Sequence, residues 1–449
     1  MTVRLASLAI LLVPALASAI TCDITKYGAN GDGKTKNTAA FAKAVDACAQ
    51  AGGGTVLVPP GRYLTGAVRL QSNITLEAEA GATILGSPDP ADYPVYESPW
   101  AGDGHTGNGA KTISSLIYAQ DAENVTIRGR GTIDGQGENW WKSMVRLRPG
   151  QQPTPEQQIL MAKVVNGRPR MIEVVRSKFV VIEQLHLINS AVWTIHPYLS
   201  EFVRVDGVTI QNPVPSPNTD GINPESSRNV QILNSRIDVG DDCVTLKSGM
   251  NEAGRKLGRP DENITITNCV MMRGHGGVVI GSEMSGGVKN VVVSNCVFQG
   301  TDVGIRVKSQ RGRGGVVEGL AASNIVMENV RSAFTITMFY QGQDKPTDVF
   351  PVDEGTPTFR DFVFNNIIAR GSQTAGQVTG LKERAVENIT FNNVQIQAKT
   401  GMTCTNARDI RFLDTIIDPD SGPALTLVNS SAIDTSRFST RKKGIELVK

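Results

Sequence analysis

Acidic and basic side chains recur in the middle of the chain at nearly constant intervals. Asp220 lies in the segment NTDG, the pair Asp241-Asp242 follows 21 residues later in GDDC, and His275 comes 33 residues after Asp242 in GHGG. Carboxyl groups gathered at one place repel one another, which raises the pKa of at least one and makes it a candidate proton donor. Such a set suits hydrolysis of a glycosidic bond, in which one carboxyl protonates the leaving oxygen and another deprotonates a water molecule.

Two basic residues continue the same spacing. Arg306 and Lys308 follow His275 by 31 and 33 residues, and Arg311 and Arg313 crowd the next positions. A lone Asp-Asp turn, a lone histidine or an exposed Arg/Lys pair is ordinarily structural or solvated, and only the common spacing favours a site. The net charge of the chain is +2, so a polyanionic partner would have to be attracted locally by this cluster.

The elements that position these residues form a repeat. Units that begin at Asn229, Asn263, Asn290 and Asn324 are 34, 27 and 34 residues apart. Each holds short strands with alternating apolar and polar residues and no helical segment of ten residues. Units this short bury their inner faces only by stacking, which predicts an all-β fold, a parallel β-helix. A β-propeller is the alternative, but its blades need more two-residue turns. The predicted strands are 229–237, 243–247, 263–271, 278–280, 290–298 and 304–308.

The ends and insertions of the repeat also give expectations. A helix from about Asn37 to Gln50 is expected to cap the amino-terminal coil. Asn-x-Thr triplets at Asn73, Asn124, Asn263 and Asn388 match glycosylation sequons, but their regular place at strand starts favours polar residues at coil corners. Segments near 90–115 and 138–170 do not fit the repeat and are interpreted as loops that extend from the body, where binding function often lies.

The amino terminus indicates export. Residues 1–19 read as a signal peptide, with Arg4, an apolar stretch and an Ala-Ser-Ala cleavage site before Ile20. The alternative, a membrane anchor, needs a longer apolar run to cross ~30 Å of hydrocarbon. We therefore expect a secreted or periplasmic protein whose residues 20–449 form a single domain with no membrane span.

Six cysteines in an exported chain can pair. Cys22 and Cys48 flank the predicted helix, Cys243 and Cys269 lie within one repeat, and the remaining two, Cys296 and Cys404, could pair or stay as buried thiols. Metal binding is the rival interpretation, but the chain has no C-x-x-C and only four histidines. Residues 28–35 match a phosphate-binding loop pattern, which we interpret as a turn before the helix. No cofactor, no metal and no nucleic acid is expected.

The ordered series NTDG, GDDC, GHGG and RVKS resembles the polygalacturonases of glycoside hydrolase family 28. The resemblance covers nearly the whole mature chain. It implies a right-handed parallel β-helix, in the manner of pectin lyases, that cleaves α-1,4 bonds of polygalacturonate, the backbone of pectin, with inversion and without a metal. A disulfide between Cys243 and Cys269 would also match the family.

The resemblance also implies roles for individual residues. Asp241 would be the general acid, while Asp220 and Asp242 would hold and activate the water. His275 would tune the acid and position the sugar. Binding of the galacturonate carboxylate would fall to Arg306 in a forked contact and to Lys308 as a point charge. Tyr340 would contact the substrate, and Gly276 with Gly277 would let the backbone approach the sugar.

The mode of cleavage is expected to be exo. The long spacer between Asp242 and His275, and GSEMSGG after it, are more like bacterial exo-acting members, and the two insertions could close one end of the cleft. Trp193 and His196 could line that end, or be a buried aromatic and a structural histidine. Alternatives are endo action, a decorated pectin such as rhamnogalacturonan or xylogalacturonan, a Ca²⁺-dependent pectate lyase and a non-catalytic carbohydrate-binding β-helix. The chain is expected to be a monomer.

Overall fold

The computed structural model describes residues 20–97, 111–144, 147, 150–341, 344–441 and 444–448. The predicted signal peptide and much of the 90–115 insertion lie outside these residues. Parallel strands pair coil upon coil, and the architecture is the predicted right-handed parallel β-helix. The predicted units are confirmed: for example, the expected strand 304–308 is Val303–Lys308.

The strands line three faces of the solenoid. The first face contains Ile20–Asp23, Gly54–Val58, Ile74–Ala78, Glu123–Gly129, Lys178–Glu183, Glu201–Asp206, Arg228–Leu233, Asp261–Thr267, Ala407–Leu413 and Ser431–Asp434. The second contains Asp32–Lys36, Gly61–Thr65, Ala82–Gly86, Thr132–Asp134, His186–Ile188, Thr209–Gln211, Arg236–Asp238, Val270–Met272, Thr415–Pro419 and Phe438–Ser439.

The third, called the site face here, contains Val68–Leu70, Ile117–Gln120, Ile172–Val175, Ile195–Tyr198, Asp242–Leu246, Gly276–Ile280, Val303–Lys308, Ser332–Thr337, Leu425–Val428 and Ile445–Val448. Long strands bend from one face to the next: Val288–Gln299, Val316–Glu328, Thr358–Thr379 and Val386–Thr405. A separate antiparallel hairpin joins Val95–Glu97 to Lys111–Ile113.

The core is a set of stacked columns inside the coils. Ile305 lies in register with Val278 on one side and Phe334 on the other, and all three are buried. Because side chains alternate along a strand, Arg306 between Ile305 and Val307 points outward. Each fully buried aliphatic or aromatic side chain contributes about 1.5–3 kcal/mol, so the columns hold the outward residues at the strand spacing of ~4.8 Å.

Asparagine ladders form corners of the coils. Asn124 donates its amide to Asn73 Oδ1 at 3.0 Å, and Asn290 donates to Asn263 in the same way at 3.1 Å. These four residues have positive φ between 56° and 62°, a left-handed conformation that asparagine tolerates better than most residues. The Asn-x-Thr triplets at Asn73, Asn124 and Asn263 therefore lie at coil corners as predicted, but these side chains bond to one another and not to the backbone groups that the prediction named.

Helices occupy the loops and the amino-terminal end. Helix α1, Thr38–Gln50, buries Phe41, Ala44 and Val45, and a disulfide joins Cys48 at its end to Cys22, as predicted. Its role as a cap stays a prediction. The other helices are α2 Glu138–Trp141, α3 Pro155–Lys163, α4 Asn251–Leu257 and the 3₁₀ turns Ile24–Tyr27 and Pro90–Asp92. Among the described residues, no helix is long and apolar enough to span a bilayer.

The expected disulfide between Cys243 and Cys269 is wrong, because both residues are buried free thiols. Cys243 lies on the site face, where its Sγ is 3.2 Å from Arg273 O. Cys269 instead lies at the start of the second face, with its Sγ 3.3 Å from Thr267 O. Its thiol interacts with that of Cys296 in the next coil. Cys296 and Cys404 are also buried free thiols.

Candidate active site

The site face brings the predicted acids together on neighbouring coils of the solenoid. Asp242 begins a strand that lies in register with Gly276 of the next coil. The segment with Asp220 fits between two strands of this face, since Thr194 N donates to Asp220 O at 2.9 Å and Gly221 N donates to Asp242 O at 3.0 Å. The coil spacing noted in the sequence therefore places the carboxyls side by side.

Arg306 and Lys308 lie one coil beyond the strand that begins at Gly276. Lys308 donates its ammonium to Asp242 Oδ2 at 2.8 Å, and Arg306 Nη1 is 3.9 Å from Asp242 Oδ1. Oδ1 is buried and has no hydrogen-bond partner among the described residues. A buried acceptor without a partner costs free energy, so this oxygen is placed to receive a proton donor such as a water or a sugar hydroxyl.

His275 completes the cluster on its solvent side. Its Nδ1 is 3.1 Å from Asp241 Oδ1, and its side chain is 53% exposed whereas that of Asp241 is 18% exposed. The hydrogen bond to Asp241 and the charge of that carboxylate outweigh burial and raise the pKa of His275. The ring therefore holds a proton more readily next to Asp241 than it would in water.

The pKa values of Asp220 and Asp241 are shifted in opposite directions. Burial, together with the charges of Asp241 and Asp242, raises the pKa of Asp220 to about 8. Burial alone would raise the pKa of Asp241 too, but the hydrogen bond from His275 and the charges of His275, Lys308 and Lys247 lower it. A raised carboxyl pKa was expected from the clustering, and the carboxyl that shows it is Asp220.

Tyr340 lies over the two cations of the site. Its ring centroid is 4.9 Å from Lys308 Nζ and 5.5 Å from the guanidinium carbon of Arg306. A cation over an aromatic face gains about 0.5–2 kcal/mol, more as water is excluded. The ring thus orders both cations next to the carboxyls.

The two glycines of the histidine motif differ in environment. A Cβ on Gly276 would be 3.5 Å from Asp242 Oδ1 and would clash with Val279. The lack of a side chain at Gly276 therefore leaves the space beside Asp242 open. A Cβ on Gly277 would instead meet Phe298 at 3.0 Å. A side chain at Gly277 would thus point into the core, and the approach of its backbone to a sugar stays a prediction.

Two other basic residues of the predicted cluster are engaged elsewhere. Arg311 forms ion pairs with Glu383 at 2.6 Å and with Asp344 at 2.9 Å. Arg313 is buried and donates to Asn251 Oδ1 at 2.7 Å. The structure therefore leaves Arg306 and Lys308, and not all four, at the acids.

A cavity of about 360 Å³ extends from the acids toward the amino-terminal coils. Both predicted insertions contribute to its walls, 90–115 through Thr112 and 138–170 through Met144, Val164 and Arg168. Trp193 lines the cavity, as one of the two interpretations had it. His196 is fully buried, with its ring nitrogens 3.1 Å from Glu173 and 3.2 Å from Glu225, and is structural.

Sequence reasoning missed cations in this cavity. Lys247 is buried, pairs with Glu283 at 2.8 Å and lies 4.9 Å from the Trp193 ring. Arg168 lies in the second insertion, where no repeat gives it a register. Lys247 could have been found, since it follows Asp242 by five positions just as Lys308 follows the strand start Val303 by five.

Asp241, Asp242 and His275 are also the described residues that could hold a metal ion, with donor atoms within 4.8 Å of one another. The ammonium of Lys308 and the imidazole of His275 are bonded to these same carboxylates. A divalent cation would have to displace the Lys308 ammonium and the hydrogen bond between His275 and Asp241, and Ca²⁺ would need six to eight oxygen ligands. The donor set is therefore better suited to proton transfer.

Comparisons with known proteins indicate a glycoside hydrolase, as the geometry of the site does. The model of glycosyl hydrolases family 28 matches residues 48–413. A probable polygalacturonase of Vitis vinifera is 34% identical over 95% of this chain and 88% of its own. An exo-poly-alpha-D-galacturonosidase of Dickeya chrysanthemi is 29% identical over 87% of this chain and 69% of its own. The crystal structure of an exopolygalacturonase from Thermotoga maritima superposes with a TM-score of 0.74 and 32% identity, covering 85% of this chain and 90% of that one.

Proposed function

The chain belongs to glycosyl hydrolases family 28, and from that premise we propose that it hydrolyses the α-1,4-galacturonosidic bonds of polygalacturonate by exo attack with inversion. The proposal rests on one observation: Asp242 forms ion pairs with Lys308 and Arg306, beside Asp241 and Asp220. Two cations next to a carboxyl cluster can hold an anionic sugar against groups that transfer protons.

In this proposal Asp241 protonates the glycosidic oxygen while Asp220 and Asp242 hold and activate the water. Before substrate binds, the two carboxyls share a proton that Asp220 holds more strongly, because its pKa is the raised one. Interacting carboxyls titrate as a unit, so the proton belongs to the pair. It passes from Asp220 to Asp241 before the glycosidic oxygen takes it, which leaves Asp220 as a carboxylate able to accept a proton from water.

The substrate is held by the cations and the aromatic ring. Arg306 and Lys308 bind the carboxylate of the galacturonate next to the scissile bond, and Tyr340 keeps both cations in place. His275 donates its Nδ1 proton to Asp241 and stabilises that carboxylate after it has lost its proton. Gly276 leaves room for the sugar beside Asp242.

Exo action is supported by the asymmetry of the cleft. Toward the amino terminus, residues of both insertions line the cavity, and in this proposal these segments close it. Toward the carboxyl terminus the outward residues in register with Arg306 are Thr335, Gln377 and Thr403, which are partly or fully exposed. A chain end fits a site that is closed on one side and open on the other. Two relatives named above are exo-acting by name.

Export is part of the proposal. The pattern of residues 1–19 predicts a signal peptide, and the Cys22–Cys48 disulfide fits an oxidising compartment. A polymeric substrate such as pectin is outside the cell, so we place the enzyme in the periplasm or the medium, as one domain of residues 20–449 that acts as a monomer.

The test is the time course of products from polygalacturonate, separated by anion-exchange chromatography, with Asp241→Asn as the control. Loss of the proton donor should lower the rate by ~10²–10⁴. Monomer or dimer alone from the first time point is expected. A ladder of oligomers would replace exo by endo action. An unsaturated product that disappears with a chelator would establish a lyase instead, and no product from the wild type would leave a decorated pectin or a binding role.

A further inference from the structure

We infer that Arg168 binds the carboxylate of the galacturonate on the closed side of the scissile bond, and so makes the enzyme require an unesterified unit there. The inference rests on the proposed function and deepens it. It assigns a specificity-determining residue in the 138–170 insertion, outside the four motifs that identify the family.

Arg168 differs from the other cations that line the cavity. Lys308 pairs with Asp242 and Lys247 with Glu283, each at 2.8 Å, and Arg170 has Glu173 at 3.7 Å. Among the described residues no carboxylate lies within 4.0 Å of Arg168, although only 8% of the residue is exposed. A buried charge without a counter-ion is costly, and an anionic ligand removes the cost.

The guanidinium of Arg168 is fixed in place. Nη1 donates to Ala191 O at 2.8 Å and to Pro217 O at 2.7 Å, and Nη2 donates to Asn218 Oδ1 at 2.9 Å. These bonds use three of the five N–H donors. Since the planar group cannot turn away, the positions of the other two donors are set before a ligand arrives.

The two remaining donors are on Nε and Nη2, and no hydrogen bond from them is found among the described residues. This is the edge by which other arginines of the chain hold a carboxylate: Arg176 binds Asp121 through Nε at 2.6 Å and Nη2 at 2.8 Å. A planar carboxylate matches that fork with two parallel bonds.

The position of Arg168 relates it to the reacting groups. It lines the same cavity as Asp220 and Asp241, and their charges partly offset the effect of burial on its pKa, which is lowered to about 10. Trp193 lies in the same wall, buried against Lys247 and Arg170. A galacturonate seated on the closed side therefore meets the Arg168 guanidinium next to the acids.

On the open side, the described residues in register with Arg306 and Lys308 carry no charge. In register with Lys308 lie Thr337, Thr379 and Thr405, which continue the neutral row that follows Arg306. A methyl ester on a unit bound there loses no ion pair. The enzyme should therefore distinguish free from esterified units mainly on the closed side and at the scissile bond.

The experiment uses three substrates: trigalacturonate and its two isomers with one methyl ester on either terminal unit. For the wild type, kcat/KM should be lower by about 10–100-fold for the isomer whose ester enters the closed side, since a charge-assisted bond is lost. Arg168→Gln should lower kcat/KM for trigalacturonate but not for that isomer, so that the difference largely disappears. Arg168→Lys should keep part of it, because the charge stays while the three fixed bonds are lost.

Arg360→Gln is the matched control, an exposed arginine paired with Glu318, and should leave the discrimination unchanged. Equal loss by Arg168→Gln on all three substrates would overturn the inference and leave Arg168 as a structural support of the loop before Asp220. Equal rates of the wild type on all three would overturn it as well. If Arg168→Gln does not fold, Arg168→Lys decides: its kcat/KM should fall more for trigalacturonate than for the isomer whose ester enters the closed side, and an equal fall on both would overturn the inference. Failure of the proposed function is separate, since the wild type would then not cleave trigalacturonate at all.

Discussion

The imidazole of His275 and the carboxylate of Asp241 form a direct hydrogen bond, with 3.1 Å between Nδ1 and Oδ1. The pKa of the ring is raised by this bond and by the carboxylate charge. Asp241→Asn should therefore lower the pKa of His275, and ¹H–¹⁵N NMR of histidine-labelled protein measures the change. The spectrum of His275→Gln identifies the resonance. An unchanged His275 titration in Asp241→Asn would contradict the bonded geometry.

The roles of the two coupled carboxyls can be separated by the leaving group. An aryl galacturonide with a weakly basic phenolate needs little protonation, so Asp241→Asn should lose much less activity on it than the ~10²–10⁴ expected for polygalacturonate. Asp220→Asn should lose similar activity on both substrates, because water activation is still required. The opposite pattern would make Asp220 the general acid, in line with its raised pKa.

Asp220 should also make the protein less stable as the pH rises. Its pKa is about 8 in the folded chain and near 3.9 in the unfolded one, so between these values the folded state binds the extra proton. The free energy of unfolding then falls with rising pH, by at most about 1.4 kcal/mol per pH unit from this group. Asp220→Asn should flatten that slope and raise the Tm at pH 8. Parallel curves of Tm against pH for the two proteins would show that Asp220 is not protonated when buried.

Tyr340 should act on binding through the two cations beneath its ring. Tyr340→Ala should raise KM for polygalacturonate about 2- to 30-fold, the equivalent of a cation–π contact of 0.5–2 kcal/mol, with a smaller effect on kcat. Tyr340→Phe keeps the aromatic face and should stay close to the wild type. A rise of KM in the Phe variant as large as in the Ala variant would assign the effect to the hydroxyl instead.

The Cys22–Cys48 disulfide closes a loop of 26 residues around α1. Its removal should lower the free energy of unfolding by about 3 kcal/mol, since the unfolded chain gains freedom. Urea unfolding of Cys22→Ser/Cys48→Ser measures the loss, and activity in the absence of urea should persist because the bond is far along the solenoid from Asp241. Cys404→Ser, at a buried free thiol, is the comparison that changes no cross-link.

The sequence was informative wherever the coil repeat sets the register. Asp220, Asp242, His275 and Lys308 are each about one coil from the next, and stacking carries that spacing directly into space. Arg168 could not be found in this way, because it lies in an insertion that no strand pairing aligns. The short sequence distance between Cys243 and Cys269 was misleading, because Cys243 lies on the site face whereas Cys269 lies at the start of the second face. The order of the carboxyl pKa values depends on burial and on neighbours that spacing alone does not reveal.

Under the proposed exo action, the two insertions that line the cavity also determine which part of the polymer acts as substrate. A site that admits only a terminus responds to the number of chain ends and not to the mass of polymer, so long chains are a dilute substrate however much of them is present. Each internal cut made by another enzyme creates a new terminus and raises the rate at constant mass. The rate of an exo-acting enzyme on a fixed mass of polymer should therefore rise when an internally cutting depolymerase acts on the polymer first.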